Sequence, residues 1–181
     1  MNIIVLVGSL RQESYNMHLA KMMQKRYKYK LNLKIANIGA LPHFNQDEEH
    51  APPQVVKKFK QDILEADGVM IITPEYNWSV PGVLKNAIDW ASRVDKVFNS
   101  KPVMTVGVTI GMAGTVRAQL HLRQILSAPG IQANVLAPGG HEILIPFAAE
   151  KFDSSGELID EATLSFLDSI VDKFIDFIST H

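Results

Sequence analysis

The sequence predicts an α/β protein with a parallel sheet and helices on both faces of that sheet. Strand-like apolar runs alternate with helical segments along the chain, and this alternation is typical of a parallel sheet. With 181 residues, 46% of them hydrophobic, the chain can bury one sizeable core, on the order of 70% of its unfolded surface. The last helical segment, roughly 161–178, carries its apolar residues on one stripe, as a helix that covers a sheet would. We therefore expect residues 1–181 to form one domain.

Strand and helix follow one another from the first residues onward. Five apolar residues, Ile3 to Val7, predict the first strand, and Gly8 ends it. The run Gly68–Thr73 predicts a central strand, and Pro81 suits the first turn of the next helix, where no backbone donor is needed. The expected strands are 3–7, 31–35, 68–73, 103–110 and a short one around Asn134, and the expected helices are 17–27, 54–65, 81–92, 115–127 and 161–178.

The loop after the first strand predicts an anion site. Gly8 permits a tight turn, Ser9 and Ser14 offer hydroxyls, and Ser14 or Asn16 can cap the helix that follows. Arg11 adds a planar fork of donors that can pair with two phosphate oxygens. The loop contains neither G-x-G-x-x-G nor G-x-x-x-x-G-K-[ST], which favours a monophosphate. Taken alone, the same residues would also describe an ordinary capped turn with an exposed arginine.

A second polar turn, residues 74–82, follows the central strand at the edge where α/β sheets bind ligands. Pro74 and Pro81 fix its backbone, and polar neighbours on both sides of Tyr76 and Trp78 argue against complete burial. Such a turn presents backbone N–H groups and one ring, which suits a flat heteroaromatic ligand. We expect Tyr76 near that ligand, whereas Trp78 is left open between a wall of the substrate pocket and packing between subunits.

Both loops resemble motifs of the NADPH-dependent FMN reductase family, a group that includes quinone, azo-dye and chromate reductases. The first signature, G-S-x-R-x-x-S-x-N-x-x-L-A, reads without exception from Gly8 to Ala20. The second, P-E-Y-N-x-S-x-P-G-x-L-K-N-A-I-D-W-x-S-R, reads without exception from Pro74 to Arg93. A match of that length is highly specific. Weaker similarity around 41–47 and 117–123 extends the resemblance over nearly the whole chain.

The resemblance implies a flavodoxin-like three-layer sandwich with a five-stranded parallel sheet of order 2-1-3-4-5. FMN would then lie at the carboxyl ends of strands one, three and four. The first loop would hold its phosphate, the backbone of Pro74 to Asn77 its ring edge, and the loop from Gly111 to Thr115 its pyrimidine side. The cofactor-binding residues predicted in this way are Ser9, Arg11, Ser14, Tyr15, Asn16, Pro74, Glu75, Tyr76, Asn77, Gly111, Met112 and Gly114.

The third loop departs from the family pattern, which often reads S-x-G-x-x-G-G. This chain keeps the length from Thr109 to Thr115, but Ile110 and Thr115 are less usual there. Gly111 and Gly114 still allow the backbone to approach a ring edge closely. FMN binding is therefore expected, whereas redox tuning and nicotinamide preference are left open.

Composition and charge exclude several classes of protein. A net charge of -1 and a pI near 6.6 give no long-range field that would recruit nucleic acid or an anionic membrane. The absence of cysteine excludes a disulfide framework and a cysteine-based metal site. The initial apolar run is short and lacks a basic region before it, so a cleaved signal peptide is not expected, and no segment is long enough to span a bilayer. We therefore expect a cytoplasmic protein.

No metal site is expected either. The long connection 39–53 contains Asp47-Glu48-Glu49-His50, but four consecutive residues on a loop rarely converge on one ion. Segment 153–157 superficially resembles a calcium loop, lacks the required ligands, and is interpreted as a turn. By analogy with the family, connection 39–53 reaches toward a neighbouring subunit. The resemblance implies a homodimer, with a tetramer of paired dimers left open.

The predicted activity is that of an FMN-dependent NAD(P)H oxidoreductase. NADPH (or NADH) would deliver hydride to FMN and leave, and a small electron acceptor would then be reduced at the same face. The acceptor could be a quinone, an azo compound, a free flavin or a metal oxyanion. Hydride transfer demands no acid or base from the protein, so no catalytic side chain is predicted. Two alternatives stay open: a flavodoxin-type electron carrier, although carriers are usually strongly acidic, and a flavin-binding regulatory or scaffold protein without turnover.

Overall fold

All six strands of the protein belong to one parallel sheet. A computed structural model describes residues 1–181. The strands are β1 (Asn2–Val7), β2 (Asn32–Ile35), β3 (Gly68–Ile72), β4 (Pro102–Val108), β5 (Asn134–Val135) and β6 (Ile143–Ile145). The order β2-β1-β3-β4-β5 confirms the order predicted from the resemblance, and the fold is flavodoxin-like.

Helices cover both faces of this sheet. They are α1 (Tyr15–Arg26), α2 (Gln54–Glu65), α3 (Gly82–Ser92), α4 (Val116–Leu126), α5 (Ala148–Lys151) and α6 (Glu161–Ser179). Residues of α1, α5 and α6 pack into the hydrophobic core on one face, and residues of α2, α3 and α4 pack into the core on the other. Each of the five expected helices is confirmed to within two residues at either end, and α5 was not predicted. None of these helices has the length and apolar character needed to cross a membrane.

The central strands are buried on both faces, which explains their continuous apolar sequence. In β1, Ile3, Val5 and Val7 join the core beneath α1 and α6. Ile4 and Leu6 join the core beneath α2 and α3. Successive side chains of a strand point to opposite faces, so a strand covered on both sides has no polar position.

A sixth strand is attached to the predicted five, because two short strands share the fifth position of the sheet. β5 pairs with the beginning of β4, through Pro102 and Val103. β6 pairs with the end of β4, from Val106 to Val108. Between them, Gly139 and Gly140 adopt positive φ angles of 20° and 88° in a segment that is not part of a strand. The interruption places β6 beside the loop that follows β4.

The long connection after β2 is folded down onto α3. Asn86 donates a hydrogen bond from Nδ2 to the Pro42 carbonyl at 2.9 Å, and Trp90 donates to the same oxygen from Nε1 at 2.9 Å. Arg93 Nε donates to Glu49 Oε2 at 2.8 Å. The helical half of the second signature therefore fixes this connection. The expected contact of the connection with a neighbouring subunit stays a prediction.

Neither acidic segment noted in the sequence gathers metal ligands. In segment 153–157, which is a turn as predicted, Asp153 Oδ1 accepts the backbone N–H groups of Ser155 and Glu157 at 2.9 and 3.0 Å. In the connection 39–53, the Glu49 carboxylate is paired with Arg93. The structure places no three His, Cys, Asp or Glu side chains together as metal ligands.

Candidate functional site

The loops after β1, β3 and β4 meet at the carboxyl edge of the sheet, as predicted. The backbone N–H of Gly8 donates to the Ile72 carbonyl at 2.8 Å, which joins the ends of β1 and β3. A Cβ atom on Gly8 would lie 2.7 Å from Thr73 Oγ1, so only glycine allows this approach. Beyond these strand ends, the hydroxyls of Ser9 and Tyr76 lie 3.4 Å apart. The first and second signatures therefore form one continuous surface.

The loop after β1 leaves several donors without a partner inside the protein. The Ser14 hydroxyl caps α1 by accepting the Met17 N–H at 3.4 Å. The backbone N–H groups of Tyr15 and Asn16, at the first turn of α1, have no acceptor. Arg11 is exposed, and its guanidinium forms neither an ion pair nor a hydrogen bond with another residue. Free N–H groups at a helix start and an unpaired guanidinium together suit an anion.

Two residues predicted in this loop use their side chains elsewhere. The buried Asn16 amide donates to the Val108 carbonyl and accepts the Val108 N–H, each at 3.0 Å, so it ties α1 to β4. The ring of Tyr15 packs against Phe152, with ring centroids 5.2 Å apart. The cofactor-binding role of the two residues stays a prediction, and packing and hydrogen bonding already engage their side chains. Their backbone N–H groups remain free.

The second loop is a two-residue hairpin turn. The backbone N–H of Tyr76 donates to the Ser79 carbonyl at 3.1 Å, and the Ser79 N–H donates back to the Tyr76 carbonyl at 3.0 Å. The central residues Asn77 and Trp78 have φ angles of 49° and 62°, the left-handed pair of a type I′ turn. The N–H groups of Glu75 and Asn77 have no acceptor. The turn therefore offers two free donors beside the half-exposed ring of Tyr76.

The Glu75 carboxylate caps α4 and does not face the open edge of the sheet. Its Oε2 accepts the Ala118 N–H at 3.0 Å, and its Oε1 lies 3.5 Å from Arg117 Nη1. The Glu75 side chain is only 13% exposed. The predicted contact of Glu75 with the ring edge is through its backbone and stays a prediction, since the helix N-terminus and the arginine satisfy the carboxylate. Its backbone N–H remains available.

Two more contacts fix the tip of this turn to α4. The Arg117 guanidinium carbon lies 4.2 Å from the ring centroid of Trp78, a cation–π stack. Ser79 Oγ and His121 Nδ1 share a hydrogen bond of 2.8 Å. Trp78 is nevertheless 72% exposed. The second loop is thus held rigidly from one side and open to solvent on the other.

The third loop lies against β6. The Gly111 N–H donates to Thr109 Oγ1 at 3.2 Å, and the Gly111 carbonyl accepts the Phe147 N–H at 3.3 Å. Gly114 has a φ of 59°, and a Cβ there would lie 2.7 Å from Leu144 Cβ, so the glycine is required for this contact. The backbone N–H groups of Met112 and Gly114 have no acceptor.

A buried polar network beneath the third loop was not predicted. Gln119 Nε2 donates to the Ile143 carbonyl at 3.0 Å, and its Oε1 accepts the Thr105 hydroxyl at 2.9 Å. Arg123 Nη1 donates to the Leu136 carbonyl at 2.7 Å, and burial lowers the pKa of this guanidinium below its ordinary value. Both polar residues lie on the inward face of α4, and their polar character among apolar neighbours was the available sequence signal. The network joins α4 to β4 and to both short strands.

Large apolar side chains remain exposed around the three loops. They are Leu10 (63%), Tyr76 (48%), Trp78 (72%), Ile110 (70%) and Met112 (80%). Single exposed apolar residues are common, but five along one edge of a sheet indicate a surface that another molecule covers. The edge therefore combines an anion site, free backbone donors and apolar side chains.

Comparison with known proteins gives consistent matches. The family model described as NADPH-dependent FMN reductase matches residues 1–148. A 2-hydroxy-1,4-benzoquinone reductase of a Burkholderia species is 38% identical over 176 residues, which cover 96% of this chain and 94% of that protein. Subunit 2 of an NADH-dependent flavin reductase of Lactobacillus johnsonii is 38% identical over 183 residues, covering 98% of this chain and 97% of that protein.

A solved structure is similar along its entire length. It is the flavoenzyme NAD(P)H:(acceptor) oxidoreductase FerB from Paracoccus denitrificans. The two structures superpose with a TM-score of 0.89 and are 37% identical, and the match covers 99% of this chain and 98% of that one. The similarity therefore includes the three loops as well as the sheet.

Proposed function

This chain belongs to the NADPH-dependent FMN reductase family, and on that premise we propose that it is an FMN-dependent NAD(P)H oxidoreductase of small acceptors. The acceptor class comprises quinones, azo compounds, free flavins and metal oxyanions. The relatives named as a benzoquinone reductase and a flavin reductase support the first and third of these. The description of the family model names NADPH and that of the flavin reductase names NADH, so we propose that either nicotinamide serves as cosubstrate.

The observation that carries the proposal is the unpaired donor set in the loop after β1. The guanidinium of Arg11 and the free N–H groups of Tyr15 and Asn16 lie in the same loop as the hydroxyls of Ser9 and Ser14. A phosphate monoester would supply the missing acceptors, since Arg11 pairs with two of its oxygens and the helix start favours its negative charge. These residues fit the phosphate of FMN.

The other two loops fit the flavin ring. The free N–H groups of Glu75 and Asn77 would donate to the ring edge, and those of Met112 and Gly114 would donate on the pyrimidine side. Donors at these places stabilise the negative charge that builds up when the ring is reduced. The half-exposed Tyr76, whose hydroxyl lies 3.4 Å from Ser9 Oγ, would line the passage from phosphate to ring.

Bound FMN would supply the redox chemistry, accepting hydride from NAD(P)H and passing electrons to the acceptor. The protein would orient the ring, hold the phosphate and keep both reactants on one open face. No side chain of the three loops is required as a general acid or base for hydride transfer. We therefore assign binding and positioning roles, and no catalytic role, to these residues.

We propose that the functional unit is a homodimer, with a tetramer of two dimers as the open alternative. The exposed Leu10, Ile110 and Met112 support this, because a second subunit or a bound ligand would cover them. The chain itself acts as one domain in this proposal, and a cytoplasmic location stays a prediction.

The test is an absorbance spectrum of the purified protein with added FMN, followed by anaerobic titration with NADPH and with NADH. Flavin bands that stay with the protein through gel filtration, and then bleach with either nicotinamide, are expected. Bands that persist with both nicotinamides would contradict the enzyme and favour an electron carrier. The nearly neutral charge of -1 argues against that carrier, because carriers steer their partners with strong charge.

A further inference from the structure

Thr115 has a backbone conformation that its side chain disfavours. Its φ of 66° and ψ of 22° lie in the left-handed region, where a β-branched residue is an outlier. It is also the residue just before the first turn of α4, the place where threonine commonly caps a helix. Here it forms no such cap, and Glu75 of the second loop supplies the capping oxygen to Ala118. A backbone outlier beside a binding surface points to a role for the strain.

The Thr115 hydroxyl points into the protein and is held there by contacts with Gln119 and Gly107, which we call the lock. Thr115 is only 1% exposed, and its Oγ1 accepts a hydrogen bond from Gln119 Nε2 at 3.3 Å. A Cβ on Gly107 of β4 would overlap this hydroxyl, so the glycine makes room for it. Gln119, itself 1% exposed, is fixed in turn by Thr105 and by the Ile143 carbonyl. The lock therefore rests on buried contacts from both β4 and β6.

The departure of this chain from the family pattern at position 115 thus lies inside the protein. The side chain does not project toward the open edge, where it would compete with a ligand. Instead it fixes two consecutive left-handed residues, Gly114 and Thr115, at the point where the third loop joins α4. Because Thr115 leaves the α4 cap to Glu75, the same lock also couples the second loop to the third.

We infer that Thr115 is a positioning residue for the flavin, a role that rests on the proposed function. Its lock with Gly107 and Gln119 holds the free N–H groups of Met112 and Gly114 in place before the cofactor binds. A preorganised loop binds more tightly than a mobile one, since less conformational freedom is lost. Fixed donors beside the pyrimidine also raise the reduction potential of the bound flavin, because they stabilise its added negative charge.

The inference is tested with Thr115→Gly, Thr115→Ser and the unaltered protein. Glycine adopts the left-handed conformation without strain but loses the lock, whereas serine keeps the hydroxyl. We expect Thr115→Gly to bind FMN about threefold to tenfold more weakly and to lower the flavin reduction potential. Thr115→Ser should retain both values. FMN affinity is measured by quenching of flavin fluorescence, the potential by equilibration with reference dyes, and stability by the melting temperature of the FMN-free protein.

A second variant, Gln119→Met, removes the lock from the other side with little change in volume and should shift affinity and potential in the same direction. It also carries the test if Thr115→Gly fails to fold. Unchanged FMN affinity and reduction potential in Thr115→Gly would overturn the inference. So would losses of FMN affinity that follow the loss of melting temperature from variant to variant, because they would reflect a general loss of stability. If the unaltered protein binds no FMN, the proposed function itself fails. If the unaltered protein binds FMN and the variants have the same affinity and reduction potential as it does, the inference about Thr115 fails and the proposed function stands.

Discussion

The loop after β1 and the loops after β3 and β4 are built on opposite principles. The first leaves its strongest donor, Arg11, exposed and unpaired. The other two engage their polar side chains with other residues of the protein, as when Glu75 caps α4 and Ser79 bonds to His121. Among the three loops, non-glycine residues with left-handed backbone occur only in the second group, at Asn77, Trp78 and Thr115. We call them the phosphate side and the ring side of the edge.

The difference matches what each side is proposed to bind. A phosphate carries full charges that can draw a flexible arginine into place on binding. A neutral ring offers only weak acceptors and a flat face, so its donors need to be fixed in advance. Riboflavin, which has the ring and lacks the phosphate, separates the two contributions. Each of the following experiments compares the affinity for FMN either with the affinity for riboflavin or with the stability of the FMN-free protein.

Asn16→Ala is expected to have the largest effect, and the effect falls on stability. The substitution leaves the buried N–H and carbonyl of Val108 without their partner, at a cost of about 2–4 kcal/mol in the free energy of unfolding. Urea unfolding of the FMN-free protein measures this change. The control is Asn32→Ala, which removes an exposed amide that bonds only to Asn2. It should change stability by less than about 0.5 kcal/mol.

A different result for Asn16→Ala would change the role assigned to the Asn16 side chain, from support of the fold to phosphate binding. If stability were unchanged and FMN affinity fell while riboflavin affinity did not, the Asn16 amide would be a phosphate ligand, as the motif alone suggested. The structure predicts instead that the affinities for FMN and for riboflavin both fall in proportion to the loss of stability.

Arg11→Ala tests the phosphate side directly. Removing a charge-assisted pair worth about 1.5–3 kcal/mol should weaken FMN binding about tenfold to hundredfold. Riboflavin affinity and the stability of the FMN-free protein should not change, since the Arg11 guanidinium forms no ion pair or hydrogen bond with another residue. Lys21→Ala is the matched control, because it removes one positive charge from an exposed position of α1. Equal FMN affinity in Arg11→Ala and Lys21→Ala would exclude Arg11 as the phosphate ligand.

Glu75→Ala tests the ring side. The substitution removes the cap on the Ala118 N–H and the ion pair with Arg117, and should lower stability by about 1 kcal/mol. The affinities for FMN and for riboflavin should fall by the same factor, because both ligands contact the turn that Glu75 holds in place. Glu75→Gln keeps an acceptor for Ala118 and should recover most of the stability. Glu48→Ala, at an exposed carboxylate without a partner, serves as control. Weaker binding with full stability would place the carboxylate against the ligand.

The sheet and its ligand edge could be predicted because their signals are local. A run such as Ile3 to Val7 is apolar at every position and too short for a buried helix, which is typical of a strand covered on both faces. Gly8 and Pro81 mark where strand gives way to loop and loop to helix. The split fifth position escaped prediction because β5 and β6 are two and three residues long, too short for a periodic pattern.

The roles of single residues within the motifs were harder to predict than the motifs. Asn16 and Glu75 stand in signatures that describe a ligand site, yet their side chains bond to Val108 and Ala118, which are distant in sequence. A motif records which residues are needed at a site without separating ligand contact from support. The role proposed for Arg11 could be predicted from the sequence, because the first signature places this cation in a loop just before a helix start, where anions bind. Thr115 could not, because its orientation depends on Gly107 and Gln119.

Ionic strength should give the smallest effect and the most direct contrast between the two sides. The pairing of an exposed Arg11 with phosphate is screened by salt, because the Debye length falls from about 14 Å to about 4 Å between about 0.05 M and about 0.5 M salt. FMN affinity should fall about threefold over this range, whereas riboflavin affinity should stay constant. Arg11→Ala should remove most of the salt dependence for FMN. A parallel loss of riboflavin affinity would mean that salt acts on the ring side. The distinction between a charged phosphate side and a preorganised ring side would then be wrong.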